Sequence, residues 1–167
     1  SPNMFATSNE PHIIATPRSA LEPYHREPLL YLYAEQERAR HPPEFASPEA
    51  YTRRGMEALQ AGRLEHAAGQ FELALRFNPE FAWARAHRGI VRFARGEKAA
   101  GLAELDRALE SAPAMYEVRL QRASFRQEVG ELAGAQADVA AALRSMPRDW
   151  PQRAAAEEFA RRLGVAP

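Results

Sequence analysis

Arginine and acidic residues recur at one fixed spacing along the chain. Arg54, Arg88 and Arg122 are 34 residues apart, and Glu104 and Asp138 are separated by the same interval. A guanidinium can bind a carboxylate through two parallel hydrogen bonds, and an unpaired buried charge is costly. These residue types at this spacing therefore predict either a ladder of internal ion pairs or a site for an anion or an acidic peptide.

The elements that position these side chains belong to a repeat with a period of 34 residues. Seven columns keep their residue or its character over three copies, among them Gly62/Gly96/Gly130 and Pro79/Pro113/Pro147. The three copies read YTRRGMEALQAGRLEHAAGQFELALRFNP, RAHRGIVRFARGEKAAGLAELDRALESAP and RLQRASFRQEVGELAGAQADVAAALRSMP. This pattern of small residues, a Gly in mid-repeat and a closing Pro resembles the tetratricopeptide repeat.

The resemblance implies an all-α fold, a right-handed α-solenoid of antiparallel helix pairs. The repeats are expected at about 48–81, 82–115 and 116–149, followed by a capping helix at about 150–163. Helices A are predicted at about 48–61, 82–95 and 116–129, and helices B at about 64–77, 98–111 and 132–145. The glycines supply the positive φ of the turn between the helices, and each Pro ends a helix B. Ser47 is expected to cap the first helix and Asp149 the last.

Helix A departs from the family pattern, which usually places large apolar residues at its fourth, seventh and eleventh positions. Arginine occupies the seventh position in every repeat. In the second and third repeats, arginine also occupies the fourth position and the eleventh, which is Arg92 or Arg126. Position 23, on helix B, is Glu104 or Asp138 in those two repeats but Gln70 in the first. The acid and the eleventh-position Arg occur together, which predicts ion pairs between Arg92 and Glu104 and between Arg126 and Asp138.

An apolar surface is predicted on the concave side, where helix A positions 2, 5, 9, 12 and 13 point. The groove residues are expected to be Met56, Leu59, Trp83, Ala86, Ile90, Phe93 and Leu120. Large exposed apolar patches usually mark interaction sites. We therefore expect an adaptor that binds a protein or peptide. The alternatives are a self-associating subunit, whose groove is filled by its own or a neighbour's N-terminal arm, and a secretion-type chaperone.

One mode of peptide binding is excluded by the residues themselves. Some tetratricopeptide domains hold a C-terminal carboxylate with Lys, Asn and Arg side chains on successive helices A. The matching positions in this chain are Thr52, Met56, His87, Glu117 and Gln121, none of which fits. The sequence therefore predicts a partner that is not recognised through a two-carboxylate clamp.

Composition and motifs argue against several other classes of function. Lys plus Arg and Asp plus Glu both total 22, so the basic excess of a phosphate-neutralising nucleic-acid binder is missing. The chain has no Cys, no apolar run long enough to span a bilayer and no pair of His at helical spacing. No phosphate-binding loop is present. We expect no enzyme activity, cofactor or metal, and a cytoplasmic location, with a periplasmic one as the alternative.

Residues 1–46 do not fit the repeat and are rich in Pro. One short helix is predicted near 28–40, with Leu29, Leu30 and Tyr33 on one stripe and Ile13-Ile14 as a second apolar contact. This arm is expected to cap the first repeat, to fill the groove or to exchange between chains. The repeat domain is expected to occupy residues 47–167.

Overall fold

The computed structural model describes residues 46–166, and this part of the chain consists of helices joined by short turns. The helices are α1 Pro48–Gln60, α2 Leu64–Phe77, α3 Ala82–Ala94, α4 Lys98–Ser111, α5 Tyr116–Glu128, α6 Leu132–Ser145 and α7 Arg153–Arg162. From α1 to α6, every helix begins and ends within one residue of its predicted bounds. The predicted arm helix near 28–40 and the contacts expected of Ile13, Ile14, Leu29, Leu30 and Tyr33 lie outside the described residues.

The chain divides after Pro79 into two compact units, of which residues 46–79 and 80–166 are described. The first contains the helix pair α1–α2, and the second contains the pairs α3–α4 and α5–α6 with α7. The strongest packing joins the two helices of each pair, as expected for a repeat of antiparallel hairpins.

The prediction for the start of α1 is confirmed, and that for α7 is wrong. Ser47 Oγ accepts a hydrogen bond from the Ala50 backbone N–H at 3.1 Å, and Pro48 occupies the first helical position. Asp149 does not cap α7, because two backbone turns, Trp150 N–H to Pro147 O at 3.1 Å and Arg153 N–H to Trp150 O at 3.0 Å, separate it from the helix. The residue at the cap is Gln152, whose side chain makes no capping hydrogen bond.

Each A–B turn is closed by a Gly with positive φ, as predicted. The φ angles are +77° at Gly62, +93° at Gly96 and +88° at Gly130. In the second pair, the Glu97 N–H bonds to Arg92 O at 2.9 Å and the Gly96 N–H to Phe93 O at 2.9 Å. This is the Schellman arrangement, which satisfies the last carbonyls of the helix and requires a residue that tolerates left-handed backbone.

The small residues of each pair allow its helices to approach closely. A Cβ atom placed on Gly89 would lie 2.7 Å from Gly101 O, and one placed on Gly101 would lie 2.6 Å from Gly89 O. The backbones of α3 and α4 are therefore in direct contact. In the third pair, the same two positions are Ala123 and Ala135, and both are fully buried.

The apolar core of the second unit lies between these pairs and extends to α7. One cluster contains Leu105, Leu109, Met115 and Val118, and a second joins Val139 of α6 to Ala160 and Leu163 at the end of α7. Gln136 Nε2 also donates to Leu163 O at 2.6 Å. Helix α7 thus covers the last repeat, whose apolar face would otherwise be exposed.

Candidate functional site

Glu104 is buried on α4 and is surrounded by three arginines of α3. Arg88 Nε donates to Glu104 Oε2 at 2.6 Å, Arg92 Nη1 lies 3.1 Å from the same oxygen, and Arg85 Nη1 lies 3.5 Å from Oε1. These are the seventh, eleventh and fourth positions of one helix, so they follow a single stripe. The structure forms the predicted pair Arg92–Glu104, but the shortest contact of Glu104 is with Arg88.

Asp138 repeats this arrangement one period later, between α5 and α6. Arg122 binds it through two atoms, with Nη2 to Oδ1 at 2.7 Å and Nε to Oδ2 at 2.8 Å. Arg126 Nη1 donates to Oδ2 at 3.2 Å, and Arg119 Nη1 lies 3.8 Å from Oδ1. The predicted pair Arg126–Asp138 is therefore present beside a stronger two-point contact that the sequence comparison missed.

A third carboxylate joins the two repeats through Arg122. Asp106 of α4 accepts from Arg122 Nη1 at 2.8 Å and lies 3.8 Å from Arg126 Nη2. The pKa of Arg122 is raised, first by its hydrogen bond to Asp138, with further contributions from the charges of Asp138 and Asp106, while burial opposes the increase. The guanidinium thus remains charged although it is mostly buried, as a structural ion pair requires.

The predicted groove residues divide between the core and the surface. Ala86 is 0% exposed and Phe93 is 5% exposed, so the expectation that these two form part of an open groove is wrong. Ala86 lies in the core cluster beneath α3. Phe93 is covered by Phe125 of α5, whose ring stacks on it with centroids 3.8 Å apart and planes 4° apart. Leu120 is half-buried, and Met56 and Leu59 belong to the other unit, where Met56 is 37% exposed.

Trp83 and Ile90 keep part of their side chains at the surface of α3 while the remainder packs on the core cluster. His87, one turn after Trp83, stacks on its ring with centroids 5.8 Å apart. The His87 Nδ1 atom lies 2.8 Å from Trp83 O, so the neutral ring donates a hydrogen bond to that carbonyl. Burial lowers the pKa of His87, and the hydrogen bond to Trp83 partly offsets this.

We define the α3–α5 face as Trp83, His87 and Ile90 of α3 with Glu117, Leu120 and Ser124 of α5. Each trio has the spacing of one helix face. The stacked Phe93 and Phe125 rings hold α3 and α5 together, and the antiparallel α4 between them in sequence makes the two helices parallel. Their first turns, which carry Trp83 and Glu117, therefore lie at the same end of this face.

Residues 46–166 hold no group of three or more His, Asp or Glu side chains that could ligate a metal ion. Within the same range, no helix is both long and apolar enough to cross a membrane.

Solved structures with the same fold include three whose descriptions name their binding partner or type of domain. The first tetratricopeptide domain of Spaghetti (RPAP3), bound to the HSP90 peptide SRMEEVD, has a TM-score of 0.60 and 14% identity, covering 70% of this chain and 90% of that one. The tetratricopeptide domain of P58(IPK) has a TM-score of 0.60 and 28% identity, covering 70% of this chain and 32% of that one.

A third similar structure is the type III secretion chaperone SycD of Yersinia enterocolitica in complex with a peptide of the translocator YopD. Its TM-score is 0.60 and its identity 14%, with 70% of this chain and 91% of that one covered. No family model and no curated protein matches the sequence.

Proposed function

We propose that this chain, which has the tetratricopeptide-repeat fold, is a protein-interaction adaptor that binds a segment of another polypeptide on the α3–α5 face. The observation that supports this is the placement of Trp83, Ile90 and Leu120. Each is a large apolar side chain that is partly exposed, yet its inner part packs on a core cluster. Anchors that are already held in place lose little conformational freedom on binding, and large aromatic anchors dominate most interfaces.

The proposal is supported by two complexes with this fold, SycD with a peptide of YopD and RPAP3 with an HSP90 peptide, in which the partner is a peptide. They do not suggest the same ligand here. Thr52, His87, Glu117 and Gln121 lack the basic groups that would hold a C-terminal carboxylate, and Glu117 carries the opposite charge.

The arginines support a structural role and not an anion site. Glu104, Asp138 and Asp106 together accept contacts from six arginines, and the shortest of these contacts are between 2.6 and 2.8 Å. An acidic ligand would have to displace Glu104 or Asp138, which are buried with three arginine partners each, or compete with the half-exposed Asp106, which has two. We therefore assign these groups to the interior of the repeats and the partner to the α3–α5 face.

The proposal is tested by peptide display against the full chain, followed by fluorescence anisotropy with each selected peptide. Trp83→Ala should weaken binding by about 2 kcal/mol, which is about thirtyfold, with unchanged helicity by circular dichroism. Leu132→Ala is the matched control, because Leu132 is 51% exposed at the start of α6 and lies outside the face. Equal affinities for the wild type and Trp83→Ala would contradict the proposal.

The mass of the full chain over a concentration series separates this function from self-association. A monomer that binds selected peptides agrees with the adaptor. A mass that doubles with concentration, and returns to that of one chain in Trp83→Ala, would assign the face to a second copy.

A further inference from the structure

We propose that the segment bound on the α3–α5 face carries a basic side chain next to its apolar residues, and that this side chain lies between Trp83 and Glu117. The inference rests on the proposed function and specifies the chemistry of the partner. It depends on the charges of the face, on the side chains at its N-terminal end and on the register of the two helices.

The α3–α5 face contains no Lys or Arg, and within residues 46–166 its carboxylate, Glu117, forms no ion pair. Glu117 is exposed on the first turn of α5. Glu128, further along α5, is paired with Lys98, with Nζ and Oε2 3.1 Å apart. His87 contributes no positive charge near neutral pH, since burial lowers its pKa.

The arginines of the same helices are paired with carboxylates of α4 and α6, although Arg119 also donates from Nε to Pro113 O at 3.2 Å at the surface. Those of α3 contact Glu104, and those of α5 contact Asp138 and Asp106. Although α3 and α5 each contain three arginines that contact these carboxylates, none of the arginines belongs to the α3–α5 face, whose only charged carboxylate is Glu117.

Two carboxylates act on the ring of Tyr116 at the start of α5. The pKa of Tyr116 is raised, first by desolvation and then by the carboxylates of Glu117 and Asp149. Tyr116 also packs edge-on against Trp150, with centroids 5.2 Å apart. Both carboxylates therefore act on the same region beside the aromatic rings.

Trp83 and Glu117 suit the two parts of a Lys or Arg side chain. The aliphatic stem can pack on the indole, and Trp is the aromatic residue that attracts cations most strongly. The charged head can then reach the carboxylate. Trp83 and Glu117 are both the second residue of their helix, so the proposed side chain would cross from the first turn of α3 to the first turn of α5.

The probes are three fluorescein-labelled amphipathic peptides with an identical Leu/Ala stripe and with Lys, Gln or Glu flanking it. Binding to the full chain is measured by anisotropy at two salt concentrations. We expect the Lys peptide to bind about tenfold more tightly than the Glu peptide, with the ratio falling at higher salt. Glu117→Lys should invert the order of the two. Glu110→Lys is the matched control, because Glu110 is exposed on α4, outside the face, and it should leave the order unchanged.

Equal binding of the Lys and Glu peptides, or an order that Glu117→Lys does not change, would overturn this inference and leave the proposed function intact, provided that Trp83→Ala still weakens all three. If none of the three peptides binds to the wild-type chain, both the inference and the proposed function are contradicted. Tighter binding of the Glu peptide would indicate that the arginines are accessible to ligand, which also contradicts the inference.

Discussion

The first and third repeats fill the same backbone positions with different chemistry. In the pair α1–α2, Tyr51, Phe71 and Gln70 are buried, and Phe71 lies directly over Gly55. In the pair α5–α6, the positions of Tyr51 and Gln70 are taken by Arg119 and Asp138, and Val139 replaces Phe71. An aromatic interior has thus been exchanged for a smaller apolar residue and a buried ion cluster without a change in helix bounds.

The comparison shows that one interior depends on filling space and the other on complete pairing of charges. An apolar interior loses transfer energy and gains a cavity when a residue is truncated. A charged interior loses much more when one partner is removed, because the remaining charges stay buried without compensation. The two repeats should therefore respond differently to equivalent changes at position 23.

The largest effect is expected at Asp138. Asp138→Ala leaves Arg119, Arg122 and Arg126 around an empty position, and the free energy of unfolding should fall by about 3–5 kcal/mol. Gln70→Ala is the equivalent change in the first repeat. It should cost only about 1 kcal/mol, because Gln70 Oε1 has no hydrogen-bond partner in the described part of the chain. Urea denaturation of both variants checks this, and equal losses would show that the ion cluster is not what distinguishes the repeats.

The next largest effect is the loss of stability when an arginine around Asp138 is removed, which should differ between Arg122 and Arg126. Arg122→Ala removes a two-point contact together with the link to Asp106 and should cost about 2–3 kcal/mol, whereas Arg126→Ala should cost about 1 kcal/mol. A double-mutant cycle of each with Asp138→Ala measures the coupling. A larger coupling for Arg126 than for Arg122 would contradict the geometry described here.

A smaller effect on stability is expected when glycines in the helices are replaced by alanine, and its sign depends on whether the glycine contacts another backbone. Gly101→Ala places a Cβ atom 2.6 Å from Gly89 O and 2.8 Å from Phe93 N, so it should destabilise by about 1–3 kcal/mol. Gly69→Ala, in α2, meets nothing within 4 Å and should stabilise by about 0.5–1 kcal/mol. Thermal melts give both values, and a stable Gly101→Ala variant would mean that α3 and α4 are not in direct backbone contact.

The smallest effect concerns pH. The folded chain lowers the pKa of His87, so the unfolded chain binds a proton at higher pH than the folded chain does. Stability should therefore fall as the pH decreases from about 6.5 through the folded pKa of His87. In His87→Gln this loss is absent, so its melting temperature should change less between pH 7 and pH 5 than that of the wild type. An identical pH dependence in both proteins would count against a neutral, buried His87.

Helix bounds were predictable from the sequence because they depend on local residues. Gly62, Gly96 and Gly130 must adopt positive φ, and the prolines stop helices B, so each boundary is fixed by one or two residue types. The start of α7 was not predictable, because the turns from Pro147 to Arg153 depend on backbone hydrogen bonds that no particular residue type indicates.

The site was predictable only in part. Comparing repeats identified Arg92–Glu104 and Arg126–Asp138, since those residues appear together. It did not assign Arg88 and Arg122 to these carboxylates, because position 7 is also Arg in the first repeat, where position 23 is Gln70. The burial of Phe93 was missed because it depends on Phe125, at a position assigned to neither the core nor the groove. The large aromatic side chain of Phe125 was the feature of the sequence that could have indicated this contact.

The central claim is that the α3–α5 face binds the partner while the arginines hold the repeats together, and one paired measurement tests it most directly. For the tightest peptide from display, affinity and melting temperature are measured for Trp83→Ala and Arg122→Ala at a temperature where both are folded. The account predicts that Trp83→Ala weakens binding about thirtyfold with a melting temperature close to that of the wild type, and that Arg122→Ala lowers the melting temperature and retains affinity. The reverse pattern, with binding lost in Arg122→Ala and kept in Trp83→Ala, would contradict it.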